Sequence, residues 1–336
     1  MRARNCILFT TLSLLTVLLF IIDLTTGAVD IPLSDIWKAL TGGDVPHSTA
    51  SIIINIRLVK AIVALLTGAA LSVSGLQMQT LFRNPLAGPY VLGISSGASL
   101  GVALFILGAP MLGLTASMSS LGIAGAAWAG AAAVLFIIAA VGHRVKDIMV
   151  ILILGMMFSS GVSAVVQILQ YLSREDSLKA FVIWTMGSLG DVTVTQLYVM
   201  LPAVIAGLIL AIITIKPLNL LLLGEEYAVT MGLDMKRSRS MLFLSTTLLA
   251  GSVTAFCGPI GFIGLAVPHI SRMLFDNSDH RILIPGSLLL GSSVMILCDI
   301  ISKMFTLPVN AITALLGIPV VIWVVLRNQS LISNHH

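Results

Sequence analysis

The sequence predicts an all-helical, polytopic membrane protein with about ten transmembrane helices, and three observations predict it. Of its 336 residues, 57% are apolar and 10% charged, where soluble domains carry roughly 25% charged residues. Mean hydropathy is +1.07, more apolar surface than a soluble core could hide, so lipid is the solvent. The apolar runs are long, and a bilayer core takes roughly 20 such residues per helix. The alternating segments of about 10 residues that mark an outer-membrane barrel are absent.

The start, MRARNCILFTTLSLLTVLLFIID, has the arginines and apolar run of a signal peptide. It lacks a small-x-small cleavage site and reads as a retained first span, 7–22. Residues 30–40 (DIPLSDIWKAL) read as a short amphipathic helix at the outer interface. Spans follow at 58–79, 91–112, 117–141, 148–170 and 197–215. Segment 173–191 is too short, and too polar at one end, to cross, and fits a re-entrant or surface helix. The run 241–275 admits one very long helix or two. Cys257-Gly258-Pro259 divides it, because proline lacks the N–H and clashes with the preceding turn. Lys236, Arg237 and Arg239 before the run, and Arg272 and Arg281 after it, place both ends inside. Spans 241–257, 260–275, 282–301 and 309–326 complete the ten, and residues 1–336 read as one transmembrane domain.

With the N-terminus inside, 12 Lys and Arg residues fall on the cytoplasmic side, Arg83, Arg144, Lys146 and Arg327 among them. Six fall outside: Lys38, Arg57, Lys60, Arg174, Lys179 and Lys303. That is the positive-inside bias, and it puts both termini in the cytoplasm. The net charge of +4 follows from this topology, so no nucleic-acid partner is implied. Gly93, Gly97 and Gly101, and likewise Gly68, Ser72 and Gly75, recur at helical spacing and would let backbones approach closely. Cys6, Cys257 and Cys298 sit in or beside apolar runs without metal spacing. His47, His143, His280, His335 and His336 are scattered over both sides, and His269 after Pro268 reads as a structural cap. No metal or cofactor is expected.

Ion-coupled carriers place titratable groups at mid-membrane. Of the 14 acids only Asp299 lies within an apolar run, and Lys303, four residues on, reads as its local partner. A phosphate-cradling Gly-x-x-x-x-Gly-Lys-Ser/Thr loop is also absent, so any pumping is powered by a partner. No convincing pair of catalytic groups lies within the spans, so no enzyme is predicted. A secondary carrier or channel stands as the alternative. The longest inner loop, 216–240, carries a helix start at Gly224, Glu225 and Glu226, a stop at Gly232, and a cap for a second helix at Asp234. It reads equally as a lever pressed into another protein and as an ordinary amphipathic loop.

Two stretches carry most of the information: RNPLAGPYVLGISSGASLG (83–101) and GPIGFIGLAVPHISR (258–272). Their glycines, prolines and few polar residues between apolar runs suggest a jointed bundle around a passage. With Glu226, Ala228 and Gly232, and with DHRILIPGSLLLG, they match in order and spacing the permease subunits of bacterial ABC importers for ferric siderophores, haem and cobalamin, which the chain resembles from about Arg57 to Arg327.

That resemblance implies a type II ABC importer permease of the bacterial inner membrane, moving its cargo from periplasm to cytoplasm. It implies a homodimer with the pathway on its two-fold axis, two ATPase subunits beneath and a periplasmic binding protein above. By position, Gly224, Glu225, Glu226, Ala228 and Gly232 resemble the ATPase-coupling element. Asn84 and Leu86 resemble the cytoplasmic gate, and Arg57, Lys60 and Lys303 the docking positions for acidic residues of the binding protein. Two of those three are lysine, which keeps charge but loses the bidentate fork. The outer turn 306–310 lacks the family's usual Glu and Gly, which predicts a differently shaped start to the last helix.

Overall fold

The computed structural model describes residues 2–27, 29–111, 119–142, 145 and 147–333. Arg144, Lys146, His143, His335 and His336, and the loop-side ends of the spans expected at 91–112 and 117–141, lie outside the described residues. The described chain is helical: α1 Arg2–Thr25, α2 Leu33–Thr41, α3 His47–Leu81, α4 Ile94–Gly108, α5 Ser120–Gly142, α6 Ile148–Leu172 and α7 Glu175–Thr185, then α8 Val194–Ile213, α9 Ile215–Leu221, α10 Glu225–Thr230, α11 Met235–Cys257, α12 Ile263–Phe275, α13 His280–Phe305 and α14 Val309–Ser333. Among the described residues, seven helices are long and apolar enough to cross a membrane. Three shorter apolar helices, within α4, α12 and α14, complete the expected ten.

Two of the helices that do not cross, α2 and α7, are where the sequence puts them. α2 buries Ile36 and Ala39 and ends on Gly42, whose φ of 79° is the left-handed conformation of a helix stop. α7 follows Arg174 and carries Glu175 and Asp176 in its first turn, favourable against the positive dipole end.

α3 forms the centre. From Val59 to Leu81 nearly every side chain is buried, because small residues let neighbouring backbones close in on it. A Cβ added at Gly68 would lie 2.2 Å from Gly291 O, and one at Gly75 only 1.8 Å from Gly264 O. Ser72 between them donates to Ser287 O at 2.8 Å. The Gly68-Ser72-Gly75 face thus seats α13 and α12. Gly97 and Gly101 do the same for α4 against Gly130 and Ala126 of α5. Gly93 does not share that face: it precedes α4 as its N-cap, with φ 75°. The run to Gly93 is a turn and not helix, so this span starts later than 91.

Two other boundaries move. α3 begins at His47 rather than near 58, through a π-helical stretch at Ile52–Leu58, so Arg57, like Lys60, stands on the helix and not in a loop before it. The break in 241–275 is present: α11 stops at Cys257, and Gly258 (φ 75°) and Phe262 (φ 65°) turn the chain before α12. The basic helix expected after Gly232 is not a separate short one, because it runs on as the first turns of α11.

Candidate functional site

On the side of the bundle read as inner, Gly224 (φ 110°) opens α10, and Gly232 (φ 87°) closes it. Leu233 N–H donates back to Ala228 O and Gly232 N–H to Val229 O, which satisfies the last carbonyls of the short helix. Asp234 then caps α11 by accepting from Arg237 N–H at 3.1 Å. Ala228 is fully buried against the bundle, while Glu226, Tyr227, Val229 and Met231 are exposed. Both oxygens of Glu225 accept from Arg239 Nη2, at 2.7 and 2.9 Å, locking the loop to α11. The motif marks Glu225 in the sequence but gives no sign of this partner 14 residues on.

The RNPLA turn follows α3 directly. Asn84 Oδ1 accepts from Leu86 N–H at 2.9 Å and Asn84 O from Ala87 N–H at 3.0 Å, a side chain closing its own turn. Leu86 stands at the tip, 48% exposed. The turn is pinned from behind. His269 Nε2 donates to Pro85 O at 2.7 Å, and Arg272 Nη1 donates to Gln79 Oε1 at 2.6 Å. Gln79 in turn donates to Leu265 O. The second informative stretch therefore holds the first, and His269 is the structural tie expected of it. Between them opens a cavity of about 670 Å³ whose polar lining includes Gln79, Thr80, Arg83, His269, Arg272 and Asp276.

Asp279 caps α13 through Arg281 N–H and accepts from Asn219 Nδ2 at 2.7 Å. Partial burial alone would raise its pKa, but these two donors, with the charges of Arg281 and His280, hold it below the usual carboxylate value.

At the opposite end, the three basic residues assigned to docking are engaged within the chain. Arg57, 5% exposed, donates to the carbonyls of Leu24, Thr25 and Val29, capping the end of α1. Lys303 contacts Asp299, its i+4 partner, at 2.9 Å as expected, and also Asp23 at 2.7 Å. Lys60 lies 3.1 Å from the other Asp299 oxygen. Asp23 and Asp299 are 0% and 1% exposed. The first span expected from the sequence ends at residue 22, before Asp23; the structure seats Asp23 on α1, inside the bundle. Its distance of 280 residues from Lys303 leaves no local signal. Among the described residues no cluster of metal-ligating side chains occurs.

The comparisons agree with one another. A model described as the FecCD transport family matches residues 15–327. The hemin transport system permease protein HmuU of Yersinia pestis is 35% identical over 326 residues, 95% of each chain. The vitamin B12 import system permease protein BtuC of Klebsiella pneumoniae is 37% identical over 338 residues, 98% of this chain and 95% of that one. An inward-facing solved structure, described as an ABC transporter of metal-chelate type, superposes with a TM-score of 0.80 at 30% identity, covering 93% of this chain and 96% of its own.

Proposed function

The chain belongs to the FecCD transport family, and on that premise we propose that this membrane permease passes a ferric siderophore, haem or a corrinoid across the bacterial inner membrane as one half of a homodimer. It is a transport subunit of an ABC importer and not a catalyst of bond cleavage. Work comes from two separate ATPase subunits, and cargo from a periplasmic binding protein. Both termini lie in the cytoplasm, as the positive-inside bias requires.

The observation that carries this reading is the coupling element. A short helix bounded by Gly224 and Gly232 buries Ala228 and turns Glu226, Tyr227, Val229 and Met231 outward. Exposed apolar side chains on a rigid, glycine-bounded projection suit seating in a cleft of another protein. ATP-driven closure of the ATPase pair moves this element, and the Asn84 and Leu86 turn opens or shuts the inner end of the pathway. At the outer end the binding protein's acidic groups meet Lys60 first, since its side chain keeps 21% exposure against 10% for Lys303. Arg57 shapes that surface by fixing the end of α1.

The test is transport-coupled ATP hydrolysis in vesicles reconstituted with the ATPase and binding protein. Glu226→Arg with Gly232→Trp abolishes coupling; intact coupling in that variant rejects the reading. A secondary carrier would draw on the four charges around Asp299. It predicts uptake without ATP that collapses with an ionophore.

A further inference from the structure

We propose that Gln77 and Thr80 of α3 are the positioning residues that carry movement of the coupling element to the inner gate, acting as two bolts on one shaft. This rests on the coupling and gating reading above. The two side chains are three residues apart, hence neighbours on one helix face. Both are buried, at 0% and 5% exposure, in a part of the bundle where a polar group without a partner is unfavourable. Gln77 bonds both legs of the chain that carries α10, and Thr80 is linked to the entry leg, α9, through His280.

Gln77 holds the entry and exit legs together. Its Nε2 donates to Thr214 Oγ1 at 3.3 Å, at the junction of α8 and α9, and to Ser245 Oγ on α11 at 3.1 Å. Ser245 passes its own proton to Gly207 O at 2.9 Å, and Thr246 Oγ1 donates to Gln77 Oε1 at 3.4 Å. One amide thus spans the helices on both sides of the coupling loop.

Thr80 is reached through a three-residue chain. Asn219 on α9 turns its amide nitrogen to Asp279, which fixes its oxygen toward His280. That oxygen accepts from His280 N–H at 2.9 Å and from His280 Nδ1 at 2.8 Å. With Nδ1 the donor, the neutral ring leaves Nε2 as acceptor, and Thr80 Oγ1 lies 2.9 Å from it. The hydroxyl can instead donate to Leu76 O at 3.0 Å, so Thr80 has a second arrangement available to it.

The shaft ends in the gate. Arg83 N–H donates to Thr80 O and Asn84 N–H to Gln79 O, both at 3.2 Å, so the RNPLA turn hangs from the last carbonyls of α3. Displacement of α9 or of the first turns of α11 must therefore either break buried bonds to Gln77 and Thr80 or take the end of α3 with it. The surrounding contacts favour the second outcome, because α3 is close-packed and moves as a rigid element.

The experiment uses the full chain assembled with its ATPase and binding protein, in a Cys6→Ser, Leu86→Cys background. Cys257 and Cys298 are buried and leave one reporting thiol at the gate among the described cysteines. The rate of its modification by a water-soluble maleimide is measured with and without nucleotide, alongside ATP hydrolysis. Nucleotide should change that rate about fivefold or more in the parent and in Thr80→Ser, which keeps the hydroxyl. In Thr80→Val and Gln77→Leu the change should vanish while hydrolysis continues. A parent-like nucleotide response in both apolar variants overturns the proposal, and so does a lowered melting temperature with the response intact. Glu226→Arg separates the two readings. If it abolishes the response while Thr80→Val and Gln77→Leu do not, only the shaft fails. If it leaves the response unchanged, the coupling reading falls and the shaft falls with it.

Discussion

Lys303 Nζ lies 2.7 Å from Asp23 and 2.9 Å from Asp299, so a single ammonium joins α1 to α13 at the end of the bundle opposite α10. Lys60 completes a set of two acids and two bases by contacting Asp299 from α3. Each charge is tolerable in this setting only through the others, since burial of an unpaired ion is expensive.

Removing one member should therefore cost more than removing a pair. Asp23→Asn leaves two ammoniums, Lys60 and Lys303, sharing the single carboxylate of Asp299 and should lower stability by about 3 kcal/mol or more. Asp23→Leu with Lys303→Met keeps the Lys60–Asp299 pair and should cost clearly less. Thermal unfolding in detergent of the single and double variants measures the difference; equal losses would show that the pairing contributes nothing.

Close backbone approach predicts a graded alanine series. Gly75→Ala drives a methyl group to 1.8 Å from Gly264 O, and Gly68→Ala to 2.2 Å from Gly291 O. Backbone cannot yield as a side chain can, so both should lose at least the about 1–3 kcal/mol typical of overpacking. Gly125→Ala and Gly161→Ala meet nothing within 4 Å and should purify and melt as the parent does. Monodispersity and melting temperature discriminate the two classes.

At α10 the limit is conformation, not space. A Cβ at Gly232 meets nothing within 4 Å, but its φ is +87°. Gly232→Ala should destabilise the loop by about 1 kcal/mol, and Gly232→Asn by less, because asparagine tolerates the left-handed region. Amide exchange over 225–234 reads the effect directly, as faster exchange in the alanine variant.

Asp279 gives a pH dependence with a definite sign. Its carboxylate is held below the ordinary value of 3.8 in the folded chain. The native state therefore binds the proton less readily than the unfolded one, so the stabilisation is complete above that value and is lost as pH falls through the folded pKa. Asp279→Asn should be less stable by a constant amount above about pH 4, with the gap closing below it. Melting temperatures across pH 2–7 check this; a constant gap down to the lowest pH would refute it.

The residues show what was legible and why. The spans, α2, α7 and the break at Cys257-Gly258-Pro259 were readable because hydropathy, amphipathic spacing and proline act locally. The Gly224 and Gly232 boundaries of α10 were readable for the same reason, since each is a backbone requirement met by one residue type. Gly93 was misassigned to a helix face because its spacing repeats that of Gly97 and Gly101, although its positive φ makes it a cap. The start of α3 was missed because its first turns carry His47, Asn55 and Arg57 among apolar residues. That polarity reads as loop when the burial of Arg57 is unknown.

Composition and short-range pattern, then, determined alone that this chain lives in lipid, how often it crosses and where it bends. Those properties depend on solvent preference and on dihedral freedom, both set within a few neighbouring residues. Folding decided the rest: which charges neutralise one another, that His269 and Arg272 brace the RNPLA turn, and that Gln77 and Thr80 face the helices around α10. Such pairings join residues scores to hundreds of positions apart, and only the packing of α3 against its neighbours brings them within hydrogen-bonding reach.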